Sequence, residues 1–156
     1  EHVLTDVGSV LDRLGDGDAA ARIERDFKGE FNDLKASANT LGAQINLLAG
    51  EMQKLAEAAR QGNLDYRGDT SRLKGDWAEI VAGANRTLEN VVVPMRDIGS
   101  VLDRLSAGDA KAQVAADYQG DYKVLKAAAN ELGGQINVVA AEMEKMAEAA
   151  RQGKLD

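Results

Sequence analysis

A chain of 156 residues with only one Trp, three Tyr and two Phe has too little aromatic bulk for one large core, so its apolar surface must be buried in smaller, repeated portions. A formal net charge of −7, with no basic stripe, disfavours nucleic acid and anionic membrane surfaces, which are recognised through clustered cations. Cysteine is absent and the one histidine, His2, lies at the start, so no catalytic group, metal site or cofactor is expected.

The first predicted helix carries Asp6-Val7-Gly8-Ser9-Val10-Leu11-Asp12-Arg13-Leu14, which returns as Asp97-Ile98-Gly99-Ser100-Val101-Leu102-Asp103-Arg104-Leu105. Glu51–Asp65 likewise returns as Glu142–Asp156, giving a repeat of roughly 91 residues that Gly-bounded breaks divide again at about 45. The helix-ending pairs are Gly17-Asp18, Gly62-Asn63 and Gly108-Asp109, where glycine suits the left-handed residue that closes a helix. Connectors follow over about 16–29, 62–75 and 108–120.

A connector of about thirteen extended residues reaches about 40 Å, enough to run back along a short helix and start the next one parallel to it. Antiparallel neighbours are usually joined by about two to eight residues, so these lengths favour parallel packing. Ile23 and Phe27, Leu64 and Leu73, and Val114 and Tyr118 are apolar in otherwise polar connectors and are expected to pin them onto the helices. Glu30, Asp76 and Asp121 open the following helices, where an acid favours the positive end of the dipole.

The helix from Glu30 to Gln61 sets Phe31, Leu34, Ala38, Leu41, Ile45, Leu48, Met52, Leu55 and Ala59 in alternating steps of three and four, a coiled-coil seam. The last helix repeats it with Tyr122, Leu125, Ala129, Leu132, Ile136, Val139, Met143, Met146 and Ala150. The middle helix differs: Trp77, Ile80, Ala84, Leu88, Val91, Met95, Ile98, Leu102 and Leu105 contain two consecutive four-residue steps around Ala84, a stutter that turns the inward face. Pro94 follows, removing a backbone hydrogen bond and permitting a bend or a helix restart. A functional phase change and simple register repair both account for the pair. Trp77 aligns with Phe31 and Tyr122 at a core-type position, and Glu51, Glu57, Glu142 and Glu148 read as residues of solvated helix faces.

The helix, the Gly-initiated connector and the acid-apolar-x-x-apolar opening of a second parallel helix resemble HAMP domains. The pattern is carried by Glu30-Phe31-Asn32-Asp33-Leu34, Asp76-Trp77-Ala78-Glu79-Ile80 and Asp121-Tyr122-Lys123-Val124-Leu125, with Pro94 similar to the proline that often opens the first HAMP helix. Gly29, Gly75 and Gly120 stand where many HAMP domains carry an Asp, and only the third unit has the proline, as in divergent units of tandem arrays. The resemblance places units over 1–46, 47–91 and 92–137, with 138–156 opening a fourth, the chain starting inside one helix and stopping within that unit. The fold it implies is all-α: tandem HAMP units forming a parallel homodimeric four-helix coiled coil with helices continuous between units. A seam that one helix cannot shield supports the pairing independently, because a second copy in register offers the matching surface.

The same resemblance implies a non-enzymatic relay with itself as partner, set between upstream sensor and downstream output domains of one chain. Tyr118-Gln119-Gly120-Asp121-Tyr122 and the stretches Asn85-Arg86-Thr87-Leu88 and Val93-Pro94-Met95 are similar to poly-HAMP regions of methyl-accepting chemotaxis proteins. A hybrid sensor histidine kinase, a passive rod and a monomeric helical binding module are the alternative readings. Ala38, Ala59, Ala84, Ala129 and Ala150 leave thin layers on the seam, which either bring two packings close in energy or fit a narrow bundle. No apolar run approaches the roughly 18 residues that cross a bilayer, which is compatible with a cytoplasmic segment of either a membrane-anchored or a soluble receptor, and neither nucleic acid nor a small-molecule ligand is expected.

Overall fold

The computed structural model describes residues 2–153, with no strand among them. Helix α1 spans His2–Gly15, α2 Glu30–Arg60, α3 Asp76–Ser106 and α4 Gly120–Arg151. The chain forms two compact units, residues 1–88 and 89–156. The first holds α1, α2 and the opening turns of α3; the second holds the remainder of α3 and α4.

The helix ends are built alike. The Asp18 N–H donates to the Arg13 carbonyl at 2.8 Å and the Gly17 N–H to Leu14 at 3.1 Å, with Gly17 at a φ of 95°, so two carbonyls left over at the end of α1 are satisfied. Asn63 to Ala58 at 2.8 Å and Asp109 to Arg104 at 2.9 Å close α2 and α3 in the same way. Arg13 and Arg104 also donate to the carboxylates of Asp18 and Asp109, which holds both carboxyls below their usual range and fastens the start of the connector to the helix it has just left.

In the first unit Val7, Val10 and Leu14 of α1 pack with Ala38 of α2 and with Ala21 and Ile23 of the connector. Leu14, at the end of α1, lies against Gly42 of α2, while Asp6 and Lys35, each earlier in its own helix, meet the adjacent connector residues Arg25 and Asp26, so the helices run parallel. The connector descends between them, with Ile23 opposite Asn39 and Asp26 opposite Lys35. The later half of α2 repeats the arrangement with the next connector and the start of α3, around Leu55, Leu73 and Val81. The second unit does so again around Val101, Leu105, Ala112, Val114 and Ala129.

Helix α2 therefore serves two helix pairs without a break, and its buried side turns along its length. Ala38 and Gly42 face the first connector, whereas Gln44, Glu51, Leu55 and Ala58 face the second, a rotation of roughly 150° at about 100° per residue. Seam residues Leu34, Leu41 and Met52 lie between those two faces and remain open. Helix α3 passes through Pro94 as one helix, so the restart allowed by the sequence does not occur. A proline removes one bond of the ladder, and the turns on either side hold the helix together.

Candidate functional site

Each connector is locked to the helix that follows it by one asparagine. Asn39 accepts the Ile23 N–H at 2.8 Å and donates to the Ile23 carbonyl at 3.0 Å. Asn85 does the same for Gly68 at 2.8 and 2.9 Å, and Asn130 for Val114 at 2.8 and 3.2 Å. A side-chain amide matches one residue's donor and acceptor together, so the connector backbone is paired as it would be in a sheet. Sequence reasoning gave Asn39 and Asn130 no role and took Asn85 only as part of a motif, because an Asn between helix-forming neighbours reads as solvated. The available signal was the recurrence, at a spacing of about 45 residues, of Ala36-Ser37-Ala38-Asn39, Ala82-Gly83-Ala84-Asn85 and Ala127-Ala128-Ala129-Asn130.

A carboxylate from the preceding helix forms the opposite lock. Asp6, Glu51 and Asp97 occupy equivalent positions and reach the connector by different means. Asp6 pairs with Arg25 at 3.3 Å, while Asp97 accepts the Tyr118 hydroxyl at 2.9 Å. The swap is complementary: Phe27 stands where Tyr118 does and has no hydroxyl, and Ala116 stands where Arg25 does and has no charge. Desolvation and the neighbouring Asp97 carboxylate raise the pKa of the Tyr118 phenol, so it remains a donor.

Glu51 makes the most elaborate contact and corrects the expectation of a solvated face. Only 8% exposed, it accepts from Lys54 at 2.7 Å, from the Asp69 N–H at 2.9 Å and from the Tyr66 hydroxyl at 3.4 Å. The Lys54 bond, then the Asp69 N–H, hold its carboxyl below the ordinary range. One turn pair earlier, Gln44 donates to the Arg72 carbonyl at 3.2 Å and accepts the Lys74 N–H at 2.9 Å. Glu57, Glu142 and Glu148 are exposed.

The six connector pins take unequal positions. Ile23, Leu73 and Val114 are buried, whereas Phe27, Leu64 and Tyr118 are half-buried. Ala21 and Ala112, not singled out by the sequence, are fully enclosed. Their carbonyls lie 3.2 Å from where a Cβ on Gly42 or Gly133 would stand, so glycine in the helix lets the connector come this close. In the middle connector Gly68 occupies the position of Ile23 and Val114, and its missing side chain is replaced by Val81, itself fully buried. Glu30 and Asp76 are the first residues of α2 and α3, and Asp121 the second of α4.

The predicted seam divides by exposure. Leu55 and Leu105 are buried within the chain, and Ile45, Leu48, Ala84, Leu88, Ile98 and Ile136 are half-buried. Leu34, Leu41, Met52, Ile80, Val91, Leu102, Leu125, Leu132, Val139 and Met143 stand 38–62% exposed. Phe31 is also exposed, whereas Trp77 packs against the Leu55, Leu73 and Val81 cluster and Tyr122 lies 6.3 Å from Tyr118, ring to ring. A groove of about 820 Å³ in the first unit, lined by Leu41, Gln44, Trp77 and Ile80, belongs to this open surface. Among the described residues no cluster of His, Cys, Asp or Glu is arranged to hold a metal ion, and no helix is long and apolar enough to cross a membrane.

Paired parallel helices, a locked connector and a repeat of the whole define a class, and sequence comparison gives it a name. The HAMP domain family matches residues 4–47 and 72–138, and the chain belongs to that family as a tandem of its units. The unmatched stretch between holds most of the Gly68 connector. The chain is similar to the methyl-accepting chemotaxis protein McpB of Pseudomonas aeruginosa, with 24% identity over 98 residues. That alignment covers 63% of this chain and 14% of McpB. No solved structure matches the chain.

Proposed function

We propose that this segment is a cytoplasmic signal relay in which two copies pair in parallel along the open seam, each HAMP unit becoming a four-helix bundle. The observation that carries the reading is the set of Leu, Ile, Val and Met at seam spacing that stand 38–62% exposed, apart from the faces that hold the connectors. Burying one such side chain contributes up to about 1.5–3 kcal/mol, so a row of them favours a partner with the same spacing. Units then follow the boundaries 1–46, 47–91 and 92–137, with 138–156 opening a fourth. Because α2 carries two packing faces, rotation imposed at one unit reaches the next through an unbroken helix, with Ala84 and Pro94 at the change of phase. Similarity to McpB favours a methyl-accepting chemotaxis protein as the setting, with a sensor before the segment and an output domain after it.

The test uses the absence of cysteine. Leu132→Cys and Glu131→Cys are made separately and oxidised mildly. Leu132 is on the open seam and next to Gly133, which is buried against the connector, so only an in-register parallel dimer brings two copies of position 132 together. Strong cross-linking at 132 with little at 131 is expected. Equal or absent cross-linking would leave a monomeric or antiparallel assembly and remove the physical basis of the relay.

A further inference from the structure

The start of α3 is fastened in a way that the starts of α2 and α4 are not. Gln44 of α2, only 9% exposed, donates to the Arg72 carbonyl at 3.2 Å and accepts the Lys74 N–H at 2.9 Å. The Lys74 carbonyl accepts the Trp77 N–H at 3.1 Å in the first turn of α3, and Trp77 packs against Leu55, Leu73 and Val81. Through Lys74, one side-chain amide therefore joins the middle of α2 to the first turn of α3. Gly29 before α2 and Gln119 before α4 make no side-chain cap bond. Asn90 stands 18 residues before Gly108 as Gln44 does before Gly62, but it is a methylene shorter and exposed. The middle connector is also the long one, with Gly62 and Gly75 thirteen positions apart where Gly17 and Gly29, and Gly108 and Gly120, are twelve. Its extra residue falls after Gly68, where the Leu73 N–H closes a turn on the Thr70 carbonyl at 3.1 Å, beside the two bonds to Gln44.

We infer that Gln44 couples the first HAMP unit directly to the second, by drawing the start of α3 along with the middle of α2. Gly42, two residues away, is where α2 meets Leu14 of α1 and the Ala21 carbonyl of the first connector. A rotation or axial shift imposed on α2 at Gly42 therefore reaches Gln44 over about 3 Å of helix rise. From there it passes to Lys74 and into α3 across two hydrogen bonds. On the reading of the chain as a relay, on which this rests, motion in the first unit has two routes onward. One runs down the late turns of α2 to Glu51 and the connector at Asp69; the other crosses at Gln44 and bypasses them.

The test reads hydrogen exchange in the full chain together with the fluorescence of Trp77, its one tryptophan. Gln44→Met removes both bonds while keeping side-chain length and a good helix former in α2. The Lys74 amide should then exchange at least tenfold faster, while the Asp69 amide, held by Glu51, stays protected and shows that the connector is still seated. Val10→Ala loosens the first unit from within its core, and Asn39→Ala, which frees the first connector, serves as a second perturbation. In the parent each should speed exchange over 74–80 at least threefold and move Trp77 emission to longer wavelength. In Gln44→Met neither should do so, and Gln44→Glu, which still accepts the Lys74 N–H, should restore part of the response. A Lys74 amide as slow in Gln44→Met as in the parent would overturn the clamp. A response over 74–80 that is absent in the parent, or equally large in Gln44→Met, would overturn the coupling. Cross-linking at Leu132 decides the dimeric relay separately, and its failure would leave these exchange results as they stand.

Discussion

Replacing Asn85 by Ala tests whether the connector is held by its side-chain amide or merely wrapped around the helices. The substitution removes the bonds to the Gly68 N–H at 2.8 Å and the Gly68 carbonyl at 2.9 Å while keeping a good helix former in α3. Gly68 is buried, and Val81 and Leu55 crowd its Cα, so water has little room to take over. An unsatisfied buried backbone group costs about 1–3 kcal/mol, and two of them, with Asn85 itself half-buried, give an expected loss of about 2–4 kcal/mol. Urea unfolding at one fixed protein concentration measures it, since self-association would otherwise shift the midpoint. Hydrogen exchange at Gly68 should accelerate in parallel. Asn46→Ala, at an exposed position of α2, is the control and should stay within about 0.5 kcal/mol. A loss at Asn85 no larger than the control, with Gly68 still protected, would refute the lock.

Gly68→Ala should cost about 1–3 kcal/mol, because its Cβ would stand 2.6 Å from Cγ1 of fully buried Val81 and 3.2 Å from Cδ1 of Leu55. Thermal unfolding checks it, and adding Val81→Ala should cost less in the Gly68→Ala protein than alone; additive losses would contradict the contact. Glu51 has a folded pKa below its ordinary 4.5, so the stability it contributes is present above that value and is lost as pH falls through it and below. Stability measured from about pH 6 to 3 should therefore fall less steeply in Glu51→Gln than in the parent, and identical slopes would show that the carboxylate is not held.

Much of this arrangement was legible in the residues because helix ends and seams are written in local terms. A glycine followed by Asp or Asn marks each turn out of a helix, and alternating steps of three and four mark each seam. The connector contacts were less legible, since they depend on which faces meet. Ile23, Leu73 and Val114 announce themselves by hydropathy, but Ala21 and Ala112 are as enclosed as any residue in the chain and look like linker filler. Asn39, Asn85 and Asn130 look like solvent-facing amides because their partners are backbone groups, which carry no residue identity. Glu51 resembles its solvated neighbour Glu57; only the arrival of Asp69 and Tyr66 distinguishes them. Phe31, the first residue of the seam on α2, is 52% exposed within one chain, as the other open seam residues are.

The two faces of α2 bear on how such a chain can grow by duplication. Its early turns offer Lys35 and Asn39 to one kind of connector, and its late turns offer Gln44 and Glu51 to another. Each connector meets the late turns of the helix before it and the early turns of the helix after it, so a copied segment of about 45 residues running from late turns to early turns carries those contacts with it. Copying a segment of about 91 residues preserves every pairing, because it begins and ends at the same turn of an equivalent helix. Junctions between units thus fall inside helices and away from the connector contacts, and the near-identity of Glu51–Asp65 and Glu142–Asp156 is the trace of a copied segment of about 91 residues, a pair of units.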